Sequence, residues 1–107
     1  MNGVLYNASG NKVLGRVING VVYRDGWFSQ KVVGRIEGNI LRDGVSSLQV
    51  LAVLNGPLVQ QPGFIFLSEP FARIDGDIIY RGAGSGSEIV GRFRGPPEIA
   101  LAIYFFM

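Results

Sequence analysis

Hydrophobic and polar positions along the chain follow two short patterns that alternate. The first has an apolar residue, a variable one, a small one, an arginine and a second apolar residue, as in Val32–Ile36 (VVGRI). The second begins at a turn glycine and runs through apolar residues toward an arginine, as in Gly76–Arg81 (GDIIYR). Both are short, rich in β-branched and aromatic side chains, and bounded by glycine, which is typical of β-strands. The two patterns therefore predict paired strands.

The paired patterns repeat along the whole chain. Turn glycines stand at positions 3, 20, 38, 56, 76 and 95, so the steps are 17, 18, 18, 20 and 19 residues. Asn19-Gly20 and Asp75-Gly76 are typical of tight hairpin turns, because glycine tolerates the positive φ that such turns require. We expect one all-β domain over residues 1–107. It would contain about five tandem β-hairpin repeats of ~18 residues around a common axis, as a β-flower or a barrel-like antiparallel meander.

A small residue recurs in the middle of the first pattern. Its copies are Gly15, Gly34, Ala52, Ala72 and Gly91. Glycine within a strand often marks a close approach of another part of the chain. We expect these residues to face the axis, where larger side chains would meet their symmetry mates. Simple alternation would place Val32, Gly34 and Ile36 on that inner face.

The rhythm VGRI-EG-NILRDG of residues 33–44, with the tail Ile89–Gly95 and Glu98–Phe106, resembles the five-fold β-flower proteins. These are small bacterial repeat proteins with hairpin petals around an axis and a C-terminal segment that ends in aromatic residues. The resemblance covers nearly the whole chain and implies a fold. It implies no activity, because the function of that family is uncharacterised.

The C-terminal segment is apolar from Ile99 to Met107, a run of nine residues that is far too short to span a bilayer. A short helical turn is possible after Pro97, because proline suits the first position of a helix. We expect Tyr104, Phe105 and Phe106 to belong to the core, where a terminal strand could close the ring. No membrane contact is expected.

The composition removes several classes of function. The chain has no cysteine and no histidine, so thiolate and imidazole metal sites are excluded, as are cysteine nucleophiles and histidine general bases. We therefore expect that the protein is not an enzyme and that it has no catalytic residue, metal or cofactor. The N-terminus lacks the basic and apolar regions of a signal peptide, which favours the cytoplasm.

Arginine occupies the same position in four copies of the first pattern: Arg16, Arg35, Arg73 and Arg92. On a symmetric body these residues would form a partial ring that could bind phosphate or another small anion. The alternative is that each arginine pairs with an acid on the next strand or lies on a solvated face. Nucleic acid is disfavoured, because the eight acidic residues are spread through the same strands as the ten basic ones.

Apolar residues also stand where polar turn residues are expected. They are Trp27, Phe28, Phe64, Ile65, Phe66 and Leu67. They could fold back as a cap over the core, or form an exposed patch for a ligand or for self-association. The leading interpretation is a non-enzymatic binding or assembly module that uses these loop tips or the arginine ring. The alternative is a purely structural homo-oligomeric repeat protein.

Overall fold

The computed structural model describes residues 1–25, 30–62, 70–82 and 88–107. Within these residues the chain forms ten strands and one helix. The strands are β1 (Gly3–Tyr6), β2 (Val13–Ile18), β3 (Val21–Arg24), β4 (Lys31–Glu37), β5 (Ile40–Asp43), β6 (Val50–Asn55), β7 (Leu58–Gln60), β8 (Ala72–Asp75), β9 (Ile78–Arg81) and β10 (Ile89–Arg94). Each strand pairs antiparallel with its neighbours in sequence, and β1 pairs with β10 to close a barrel. The predicted all-β meander of about ten strands around an axis is confirmed.

Two-residue turns join the strands within each hairpin. Ile18 pairs with Val21 across Asn19-Gly20, whose φ angles are 51° and 79°. Positive φ at both central residues matches the right-handed twist of the flanking strands. In the β8–β9 hairpin the turn residues are Gly76-Asp77, with φ 63° at the glycine. These turns lie within one residue of the predicted positions.

A β-bulge interrupts the pairing between successive hairpins. Tyr23 pairs with Val32 and Val22 pairs with Gly34, so Val33 is an extra residue on β4. Corresponding register shifts occur at Leu14, Leu51 and Val90. Val33, and not Val32, is among the residues that pack against the buried core. Simple alternation, which placed Val32 on the inner face, is therefore wrong at this position. The bulge restores alternation from Gly34 onward, and Gly34 and Ile36 are buried.

A 3₁₀ helix, Pro97–Phe106, fills the interior of the barrel; we call it the C-terminal helix. Residues 99–103 are at most 1% exposed, and the helix contacts strands on opposite sides of the barrel, including β1, β5 and β6. A helix that is apolar on all sides needs such an enclosure. Ten residues at the 3₁₀ rise span about 20 Å, which matches the length of a six-residue strand. In the described part of the chain, no helix has both the length and the apolar character needed to cross a bilayer.

The three glycines at the small position of the repeat lie against this helix. A Cβ atom placed on Gly15 would lie 3.0 Å from Phe106 Cζ, one on Gly34 2.5 Å from Phe105 Cζ, and one on Gly91 2.9 Å from Ile103 Cδ1. Their inward, crowded placement is as predicted. The prediction of their neighbours was wrong, because the C-terminal helix occupies the axis in place of the equivalent residues of the other repeats. The expected terminal strand was also wrong, since β1 and β10 close the ring.

Candidate functional site

The four arginines of the repeat lie on the outer wall of the barrel. In each case the neighbouring residues of the strand point into the core, as Gly34 and Ile36 do on either side of Arg35. The interior is filled by apolar side chains and the C-terminal helix. The outer wall and the two ends of the barrel are therefore where polar groups can meet a ligand.

Arg16 and Arg35 have acidic partners. Arg16 Nη2 lies 3.5 Å from Asp25 Oδ2, and its side chain is 39% exposed. Arg35 is more enclosed, with a side chain that is 17% exposed and an Nε that lies 2.9 Å from Glu37 Oε1. The same carboxylate oxygen lies 2.9 Å from the Nε of Arg42, which is the cross-strand neighbour of Arg35. Two guanidinium groups thus share one carboxylate, which lowers the local positive charge.

Arg73 and Arg92 have different partners. The guanidinium carbon of Arg73 lies 4.6 Å from the ring centre of Tyr80, the residue directly opposite it on β9. Arg92 Nε donates a hydrogen bond of 3.0 Å to the carbonyl oxygen of Ala8. Among the described residues, neither arginine forms an ion pair with a carboxylate. Both keep a positive charge that no described neighbour neutralises.

The arginines are spread around the barrel and do not converge on one point. Arg73 on β8 and Arg92 on β10 flank β9, so their backbones are about 10 Å apart at the usual strand spacing. Arg92 and Arg16 flank β1 in the same way, and Arg16 and Arg35 flank β3. Between Arg35 and Arg73 the series is interrupted at β6, where Val53 takes the arginine position. The four arginines therefore form one series on every second strand, and the ring is open at β6.

Tyrosines face three of these arginines, and the sequence interpretation did not assign them a role. Tyr23 pairs with Arg16, Tyr80 with Arg73 and Tyr6 with Arg92. Each tyrosine follows a buried residue of the second pattern, so the repeat already held the signal. The hairpin register was needed to show that each tyrosine meets an arginine.

An open cleft of about 440 Å³ lies at the end of the barrel where the C-terminal helix ends. Its polar lining comes from Lys12, Arg24 and Asp25, and its apolar lining includes Phe105 and Phe106. Arg24 is engaged with the helix, since its Nη2 donates a hydrogen bond of 2.7 Å to the carbonyl oxygen of Phe105. Because Arg24 already bonds to the helix, we interpret this residue as holding the helix end and not as a ligand-binding group of the cleft.

The apolar loop residues predicted as an interface lie outside the described residues. They are Trp27, Phe28, Phe64, Ile65, Phe66 and Leu67. Within the described ranges, no group of three acidic residues is placed to hold a metal ion. No family model, curated protein or solved structure matches the chain.

Proposed function

We propose that this protein is a non-enzymatic binding module whose outer arginine ring binds anions. The observation that carries the proposal is the placement of Arg16, Arg35, Arg73 and Arg92 on equivalent outward positions of a barrel whose interior is filled. A guanidinium group presents several N–H donors in a plane and keeps its charge, which suits phosphate oxygens. The absence of histidine and cysteine supports a binding role over a catalytic one.

The experiment is a thermal melt in phosphate and in sulfate. We expect either anion to raise the melting temperature of the wild type more than that of Arg35→Ala/Arg92→Ala, because specific binding stabilises the folded state by mass action. Sulfate and phosphate also stabilise proteins by exclusion from their surfaces, so the two proteins are compared at equal salt. Arg81→Ala is the matched control, since Arg81 is an exposed arginine outside the ring that pairs with Glu88. Equal gains in all three proteins would refute anion binding by the ring.

Membership of the five-fold β-flower family also stays a proposal. The closed ring of hairpins supports it, as does the aromatic end of the C-terminal helix against Gly15 and Gly34.

A further inference from the structure

One side of the barrel combines tyrosine rings with arginines that form no ion pair with any described carboxylate. Its members lie on four adjacent strands, in the order β8, β9, β10 and β1. They are Arg73, Tyr80, Arg92, Arg94 and Tyr6, which we call the Arg–Tyr face. Three strand spacings separate its edges, so the face is about 14 Å wide. It alternates cationic and aromatic side chains from one strand to the next.

The arginines of this face have few acidic neighbours on their own strands. Asp75 is the one acidic residue on these four strands. Arg81 on β9 is neutralised by Glu88, whose Oε2 lies 3.0 Å from its Nε. In the described part of the chain, no carboxylate is ion-paired with Arg73, Arg92 or Arg94.

Guanidinium groups already lie over both aromatic rings. Arg73 lies 4.6 Å from the centre of the Tyr80 ring, and Arg94 lies 6.0 Å from the centre of the Tyr6 ring. Tyr6, Tyr80, Arg73 and Arg92 are half-buried, and Arg94 is exposed. Tyrosine rings and guanidinium planes are the side-chain surfaces on which unstacked bases stack. A small anion would use the arginines of this face but none of its rings.

We infer that the Arg–Tyr face binds single-stranded nucleic acid, with arginines on the phosphates and tyrosines on the bases. The inference rests on the proposed anion-binding function and narrows it to four strands. A polyanion with flat rings fits this face better than free phosphate does, because it contacts both kinds of side chain. Stacking and phosphate contacts carry little information about base identity, so we expect weak dependence on base sequence.

The test is fluorescence anisotropy with labelled oligothymidylate of about ten nucleotides, a length within the usual site size. The comparison probe is an abasic strand of the same length and charge. We expect the oligothymidylate to bind at least about fivefold more tightly, because the stacking of one base contributes at least that factor. The slope of log K against log salt should be about −2, since three arginines each neutralise one phosphate.

The variants separate charge from stacking. Tyr6→Leu/Tyr80→Leu should lower the affinity for oligothymidylate at least about fivefold, and Tyr6→Phe/Tyr80→Phe should retain it. Arg92→Ala should weaken both probes and reduce the salt slope by about 0.7. Two control variants lie on other strands and should change the affinity for neither probe. They are Tyr23→Leu, at the residue paired with Arg16 across β2 and β3, and Arg42→Ala on β5.

The outcomes distinguish the two proposals. If phosphate stabilises the protein through the ring but both probes bind equally, with no effect of the tyrosine variants, the nucleic-acid inference is refuted and anion binding stands. If the strands bind and Arg42→Ala weakens them as much as Arg92→Ala does, the location is refuted. If neither phosphate nor either strand binds, both proposals fail.

Discussion

Arg24 on β3 hydrogen-bonds the main-chain carbonyl oxygen of Phe105, with an Nη2–O distance of 2.7 Å. The same guanidinium carbon lies 5.1 Å from the centre of the Phe106 ring. A cation at the C-terminal end of a helix meets carbonyl groups that have no partner within the helix. Arg24 therefore ties the end of the C-terminal helix to the wall of the barrel.

Arg24→Ala should lower the free energy of unfolding by about 1 kcal/mol, because one charge-assisted hydrogen bond and one cation–π contact are lost at an exposed site. Urea unfolding followed by tryptophan or tyrosine fluorescence measures the change. Arg81→Ala is the control, because Arg81 follows Tyr80 as Arg24 follows Tyr23 and, among the described residues, its side chain forms only an exposed pair with Glu88. Such a pair contributes about 0.5 kcal/mol or less. Equal losses in the two variants would contradict a role for Arg24 in holding the helix.

Gly34→Val should destabilise the barrel by about 1–3 kcal/mol or more through overpacking. A Cβ atom at Gly34 would lie 2.5 Å from the carbonyl oxygen of Arg42 and 2.5 Å from Phe105 Cζ. The ring could move, but the backbone carbonyl belongs to the neighbouring strand and cannot move without breaking the pairing. Urea unfolding of this variant is compared with that of Val53→Ile, which adds one methylene on the outer wall and should change stability by less than about 0.5 kcal/mol. A Gly34→Val protein as stable as the wild type would show that this site is not crowded.

The hairpins were predictable because turn glycines and short apolar runs recur with one period. The bulges were not predictable. The extra residue, such as Val33, is apolar like the residue before it, and the sequence does not show which of the two faces the core. The form of the C-terminal segment was ambiguous for a similar reason: a run that is apolar at every position fits a buried strand or a buried helix equally well. The arginine positions followed from the repeat. The contact of Arg73 with Tyr80 depends on the register of the β8–β9 hairpin, which its turn sets. Glu37 lies two residues after Arg35 on the same strand, and only the structure shows that it also meets Arg42.

Self-association remains a prediction from the sequence. The repeat lengthens between Asn55 and Ile74, where Phe64 and Phe66 stand in place of polar turn residues. A symmetric contact between two copies is the commonest way to bury such a surface. We expect sedimentation equilibrium to give a dimer or a larger closed oligomer for the wild type and a monomer for Phe64→Ser/Phe66→Ser. A wild type that stays monomeric at high concentration would refute self-association. If the double variant then unfolds more easily with no change in mass, the residues form a cap over the core.

Leu101→Ala should lower the free energy of unfolding by about 2–5 kcal/mol, because it would leave a cavity at the centre of the barrel. Leu101 is fully buried in the C-terminal helix, and its immediate neighbours Ala100 and Ala102 are too small to fill the space. Met107→Ala is the matched control, since Met107 is 44% exposed and its truncation should cost less than about 0.5 kcal/mol. If Leu101→Ala does not fold, Leu101→Val should fold with a loss of about 0.5–1.5 kcal/mol, as expected for one buried methylene. The helix packs against strands on opposite sides of the barrel, so both losses should appear in one cooperative transition. A Leu101→Ala protein as stable as Met107→Ala would contradict the placement of this helix inside the barrel.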